Sequence, residues 1–180
     1  GLALDDSQYR QLLEYLALLQ RWNSSFNLTA VRGEQQMAVR HLLDSLAIAP
    51  YLVGSRFIDV GTGAGLPGVP LAIAHPVFSF DLLDSNGKKT RFIRQAVAEL
   101  RLPNVEVIQT RVELLQTAVA FRRITARAYA SLADLVSGSR RLLAADGCWL
   151  AMKAGVPHAE IQALPRDLQV GIHALAAPGE

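Results

Sequence analysis

With one cysteine in 180 residues, Cys148, the chain has neither a disulfide framework nor a cysteine-based zinc site. Its four histidines, His41, His75, His158 and His173, fall into no H-E-x-x-H or comparable ligand spacing, so no metal is expected. No apolar run approaches the roughly 20 residues that a membrane helix needs. The amino-terminal apolar residues recur at helical spacing and are interrupted by Glu14 and Arg21. Charged residues are only 19% of the chain, too few for a disordered tail, and 51% hydrophobic residues suffice to bury a full core. There is no internal repeat or low-complexity linker, and nothing demands more than a monomer. The expectation is a single cytoplasmic enzyme domain without a membrane partner. Cys148 lies in the apolar, strand-like run Gly147 to Met152 and is expected as a buried structural thiol.

What is present is concentrated between Phe57 and Gly68, FIDVGTGAGLPG, where a short apolar strand runs directly into a glycine-rich turn and a helix start. Gly61, Gly63 and Gly65 permit tight turning, and Pro67 suits a first helical turn. A dinucleotide fold wants G-x-G-x-x-G for close approach to a pyrophosphate, and Leu66 stands where its third glycine belongs. D-x-G-x-G-x-G, Asp59 to Gly65, instead suits S-adenosylmethionine, which has no pyrophosphate. The backbone would pass over its sulfonium and carboxypropyl end, with an acid nearby for the ammonium. An ordinary glycine-rich turn is the plain alternative.

The next segment strengthens the cofactor reading. Val77 to Asp84 reads as a second strand ending in an acid, followed by Ser85-Asn86-Gly87 and a helix from Lys88 to about Leu100. A carboxylate at such a strand end, roughly 20 residues beyond the loop, accepts hydrogen bonds from ribose hydroxyls, and Asp84 is the candidate. Asp81, inside the strand, reads as structural. A third strand, Val105 to Gln109, leads to Arg111-Val112-Glu113, where the backbone of Val112 and the carboxylate of Glu113 could meet adenine. A fourth apolar segment, Ile124 to Ala130, opens Arg127 toward the same crevice, since ligands sit outside the carboxyl ends of parallel strands.

Upstream, Asp5 to Trp22 reads as an amphipathic helix that should cover the sheet, with Asp5, Asp6 and Ser7 as capping candidates and Leu12, Leu13, Leu16 and Leu19 on one stripe. A polar segment to Thr29 follows, and Glu34 to Ala47 resumes a helix. Its Arg40, His41 and Asp44 suit either a polar rim over the cofactor or local capping and ion pairs. Net charge is only +2, but Ser85 to Arg141 carries eleven Lys or Arg against four acids. A docked polyanion would use such a surface, and a solvated helix face carrying Lys88, Lys89, Arg91 and Arg94 explains it equally well.

Five separated motifs carry a family resemblance: NLTAV (27–31), RHLLDSLA (40–47), DVGTGAGLPGVPLA (59–72), LLDSNGKKTRFI (82–93) and RAYASL (127–132). In this order and over most of the chain, they resemble the bacterial 16S rRNA guanine-N7 methyltransferases, the RsmG or glucose-inhibited division protein B (GidB) family. The resemblance implies a Rossmann-like class I methyltransferase: an α/β domain with a mostly parallel sheet flanked by helices. A helical cap (1–50) would precede a cofactor-binding core (56–180). It further implies methyl transfer from S-adenosyl-L-methionine to N7 of one guanine in the decoding-region loop of 16S rRNA. Carried across, the family's cofactor contacts fall on Gly61, Leu66, Val112, Glu113 and Arg127; Gly63, Gly65 and Asp84 join them on physical grounds. The chain starts without methionine and stops where the family normally continues into a final strand, so both ends are expected to be incomplete.

The chemistry so implied needs no obvious base, because guanine N7 has an in-plane lone pair and no proton. Alignment and water exclusion matter more. Arg127 and Arg111 are the catalytic candidates, set to hold the target phosphate or base edge. Lys88, Lys89, Arg111 and Lys153 are the RNA-binding candidates. No N-P-P-Y-like run follows the fourth strand, Cys148 is poorly placed for attack on pyrimidine C6, and a ribose site centred on Lys153 lacks companions. N7 is hidden in the deep groove of paired RNA, so a loop guanine is expected, on naked RNA or on a small subunit or its precursor. The alternatives are a small-molecule or protein methyltransferase, an RNA-binding module without activity, and, disfavoured by Leu66, an NAD-dependent oxidoreductase.

Overall fold

A computed structural model describes residues 2–29 and 38–175, apart from a few side chains that include Arg40. Five strands form one all-parallel sheet in the order β3-β2-β1-β4-β5: β1 (Arg56–Val60), β2 (Ser79–Asp84), β3 (Val105–Gln109), β4 (Phe121–Arg127) and β5 (Leu143–Met152). Alternation of side chains divides the core across the sheet. Phe57 of β1 and Phe80 and Leu82 of β2 face one hydrophobic cluster; Ile58, Val60 and Leu83 face the other. The first cluster is covered by α3 (Gly68–Ala74) and α4 (Gly87–Glu99), and the second by α5 (Leu132–Ser139) and the short 3-10 turn Val112–Leu114. Chain order reverses between β1 and β4, which opens a crevice at their carboxyl ends.

The amino-terminal helix α1 (Asp6–Phe26) begins with a complete capping box: Asp5 Oδ1 accepts from the N–H groups of Ser7 and Gln8, and Gln8 Oε1 accepts from Asp5 N–H. It runs past the expected end at Trp22 because Trp22 and Phe26 pack together and Trp22 also meets Phe92. Contrary to expectation it does not lie on the sheet directly, but packs across α3 and α4. Gln8 donates to the carbonyls of Ile73 and Ala74, and Gln11 to that of Leu100, so two side chains satisfy carbonyls at the ends of two other helices. Leu12, Tyr15, Leu16 and Leu19 are buried, whereas Leu13 is exposed, because the stripe turns through Tyr15 instead.

Four further expectations shift. Among the described residues the second helical segment is a π-helical turn (Ala38–Leu43) leading into a four-residue α2 (Asp44–Ala47). Ala30, Val31 and Glu34–Met37 lie outside the described residues, as does the side chain of Arg40. Pro67 precedes α3 rather than opening it, after a cis peptide bond from Leu66. The fourth strand stops at Arg127, since Ala128 takes a left-handed φ of 52°. Cys148 is exposed: β5 is the last strand of the sheet among the described residues, and its alternating pattern leaves Cys148 uncovered. Asp81 is structural, as expected, held by Arg56 at 2.7 Å.

Candidate active site

At the carboxyl ends of β1, β2 and β3 the chain forms a cleft of about 230 Å3, lined by Gly61, Asp84, Arg111, Val112, Glu113 and Tyr129 among others. Of these six, all but Tyr129 are candidates from sequence. The turn after β1 works because Gly61, Gly63 and Gly65 have φ of 67°, 62° and 92°, which other residues rarely adopt. A Cβ at Gly61 would stand 3.0 Å from the ring of Tyr129, and one at Gly65 only 2.6 Å from Val69 Cγ2. The loop is therefore shaped to let ligand and side chains come close to backbone.

Two carboxylates hold this loop from opposite ends. Asp84, buried at the end of β2, accepts from Gly63 N–H at 2.9 Å through Oδ2 and from Asn86 N–H at 2.8 Å through Oδ1. It thus ties the glycine turn to the start of α4 while lining the cleft. Asp59 is almost fully buried and accepts from Thr62 Oγ1 at 2.6 Å, Gly68 N–H at 3.1 Å and Thr125 Oγ1 at 3.1 Å. Burial pushes its carboxyl up to about 6, against the pull of those three donors and of Arg127. Its motif position suggests a place near the ammonium of a cofactor; its hydrogen bonds make it an internal brace instead, linking β1, β4 and α3.

Arg127 leaves β4 on the same sheet face as Asp59 and Thr125, beneath the helical cap. Its Nη2 lies 3.4 Å from His41 Nδ1, and His41 Nε2 lies 2.9 Å from Thr29 Oγ1. A guanidinium only donates, so in this contact Nδ1 is the ring atom that faces the donor. Burial pulls Arg127 below the ordinary arginine range, opposed by Tyr15, Asp59 and Asp44 around it. Tyr15 donates to Ala64 O at 2.8 Å, so α1 touches the glycine loop itself. Arg127 is thus on the opposite sheet face from Val112 and is not among the residues that line the cleft.

The remaining candidates separate. Leu66 is buried in the core, and its N–H bonds Thr62 O at 2.9 Å, so its side chain braces the loop from below. Lys88 and Lys89 open α4, where Asn86 caps their N–H groups, and their ammonium groups have no carboxylate partner among the described residues. Lys153 is engaged: its Nζ lies 2.8 and 3.0 Å from the Glu160 oxygens and 3.4 Å from Tyr129 O.

A family model described as rRNA small subunit methyltransferase G (GidB) matches residues 8–177. The chain belongs to the rRNA small subunit methyltransferase G family. It is 52% identical to the ribosomal RNA small subunit methyltransferase G of Stutzerimonas stutzeri strain A1501, covering 99% of this chain and 85% of that one. The Marinobacter nauticus protein of the same name is 53% identical, with 99% and 84% covered. Solved structures carry the same fold. A coclaurine N-methyltransferase bound to N-methylheliamine and S-adenosylhomocysteine (SAH) gives a TM-score of 0.57 at 16% identity over 77% of this chain and 43% of that one. A precorrin-6y C5,15-methyltransferase from Geobacter metallireducens gives 0.54 at 16% identity over 74% and 69%.

Within this methyltransferase, four positions that matter to the site are not among the candidates from sequence. Tyr129 lines the cleft because left-handed Ala128 turns the chain at the strand end, and nothing in RAYASL marks that turn. Arg141 donates to Val112 O at 2.6 Å and fixes the Val112–Glu113 turn, a contact with no sequence signal beyond charge. Gly68 does carry a signal: it extends the glycine spacing, and a Cβ there would stand 2.1 Å from Leu82 Cδ2. Glu160 accepts from Leu132 N–H at 2.7 Å and, with Lys153, brackets the segment 129–132. Among the described residues no group of His, Cys, Asp and Glu could hold a metal, and no helix is long and apolar enough to cross a membrane.

Proposed function

We propose that this chain transfers a methyl group from S-adenosyl-L-methionine to N7 of a guanine in the decoding-region loop of 16S rRNA. Family membership carries this reading, and the cleft residues fit the cofactor by their chemistry. Bound S-adenosylmethionine supplies an electrophilic methyl group on a sulfonium. The left-handed glycines let backbone pass close to its amino-acid end, and Asp84 offers carboxylate oxygens to the ribose. Val112 and Glu113 flank the adenine, with Arg141 holding their turn.

The target needs no proton removed, so the protein's task is alignment and exclusion of water. Arg127, at the end of β4 beside His41, and Arg111, which lines the cleft, both carry guanidinium groups suited to a phosphate or to the O6 and N7 edge of guanine. Lys88 and Lys89 attract the RNA. Lys153 contributes a charge already paired with Glu160, and so serves chiefly to hold the turn at Tyr129. The protein acts in the cytoplasm, as a monomer, on an exposed loop guanine.

The test offers labelled S-adenosylmethionine with naked 16S rRNA and with small subunits lacking the modification. Transfer to either supports the reading and identifies the particle recognised. Cofactor binding with transfer to neither, but to a small molecule or protein, would overturn it.

A further inference from the structure

A second concavity lies beside the cleft. It has a volume of about 380 Å3 and is lined by Gly87, Arg91, Arg94, Gln95 and Gln109. Gln109 ends β3, and the next two residues, Thr110 and Arg111, line the cofactor cleft. The two concavities are therefore separated by the end of a single strand, and both open at the carboxyl edge of the sheet.

Neither charge in this groove is neutralised by a carboxylate, a state it shares with Lys88 and Lys89 at the start of the same helix. Arg21, Arg56, Arg122, Arg140 and Lys153 each have a carboxylate partner. The Arg91 side chain has neither an ion pair nor a hydrogen bond among the described residues, and that of Arg94 is aimed only at neutral oxygens, Gln109 Oε1 at 3.5 Å and Val107 O at 3.4 Å. The nearest acid along α4, Glu99, is taken by Gln95 Nε2 at 2.7 Å and by Arg21. No carboxylate lines the groove. Two guanidinium groups one turn apart, beside donor-bearing amides of Gln95 and Gln109, suit an anion with several acceptor oxygens.

We infer that this groove is a phosphate-backbone subsite, in which Arg91 and Arg94 hold the rRNA strand flanking the target nucleotide. The inference rests on the function proposed above and extends its RNA contact beyond the cleft mouth. Contacts of this kind position the nucleic acid and carry no sequence information. They add affinity and salt dependence rather than rate.

The test is methyl transfer to the preferred 16S substrate by the wild-type chain and by Arg91→Ala/Arg94→Ala, with each single Gln variant beside it. Removing both arginines is expected to raise KM for RNA by roughly tenfold or more, with kcat at saturating RNA retained. The slope of log binding against log salt should fall by roughly 0.7–0.9 for each phosphate no longer held. Affinity for S-adenosylmethionine, measured by calorimetry, should stay unchanged, which separates weakened RNA binding from a damaged fold. An unchanged KM and salt slope in the double variant, with the wild type active, would overturn the subsite alone. A wild-type chain that neither binds nor methylates RNA would overturn the subsite and the proposed function together.

Discussion

Asp84 Oδ2 accepts the N–H of Gly63 at 2.9 Å, so the residue proposed to hold the ribose also holds the loop that would pass over the cofactor. One carboxylate thereby couples the two halves of the site.

Replacing Asp84 with Ala removes both roles at once. S-adenosylmethionine affinity should fall by at least roughly tenfold, since hydrogen bonds to charged groups contribute about 1.5–3 kcal/mol. Asp84→Asn should lose less, because its amide oxygen can still accept from Gly63. Calorimetric titration checks the order; an Asp84→Ala chain that is folded and binds the cofactor as wild type would remove Asp84 from the site.

The glycines of the loop should not be equivalent. Gly68→Ala brings a Cβ within 2.1 Å of Leu82 Cδ2 and 3.0 Å of Asp59 Oδ2, an overpacking expected to destabilise by about 1–3 kcal/mol. At Gly63 the nearest atom is Gly61 O at 3.9 Å, so Gly63→Ala meets only the left-handed backbone penalty, about 1–2 kcal/mol. Denaturant unfolding of the two variants should rank Gly68→Ala as the less stable.

Asp59 makes stability depend on pH in an unusual direction. Its folded value of about 6 lies above the ordinary 3.8, so between these the folded chain binds a proton that the unfolded chain has released. The contribution is fully present below about pH 4 and is lost as pH rises through about 6. It amounts to something on the order of 3 kcal/mol by pH 7. Unfolding free energies at pH 4.5 and 7 should show about two-thirds of this loss in the wild type relative to Asp59→Asn, which does not titrate. Parallel pH profiles would contradict the assignment.

Arg127→Ala should leave the fold intact but lower kcat by about a hundredfold, the cost of a misplaced reacting group. Single-turnover methyl transfer measures it directly. Unchanged turnover would exclude Arg127 from the reaction and reduce its contacts with His41 to packing.

Much of this is legible in the chain. Apolar runs mark β1 and β3 to within a residue and the end of β2 at Asp84, although β2 starts at Ser79 and not at the expected Val77, and Asp5 marks the start of α1 because capping is a local interaction. The strand-end positions of Gly61, Asp84, Val112 and Glu113 follow from spacing and family resemblance, and they share one cleft. What stays hidden depends on residues distant in sequence. The role of Asp59 requires Thr125 from another strand, and Arg141 reaches Val112 across 29 residues. Tyr129 depends on a left-handed alanine that no propensity favours. Cys148 reads as buried because its neighbours are apolar, but exposure in a sheet is decided by which faces and edges are covered.

The atom that receives the methyl group defines the reaction of this enzyme. RNA labelled by this protein from methyl-labelled S-adenosylmethionine should be digested to nucleosides and the labelled species identified by chromatography and mass. Label is expected in 7-methylguanosine alone. Label in a base methylated at another atom, or in a 2′-O-methyl nucleoside, would exclude guanine N7 as the acceptor.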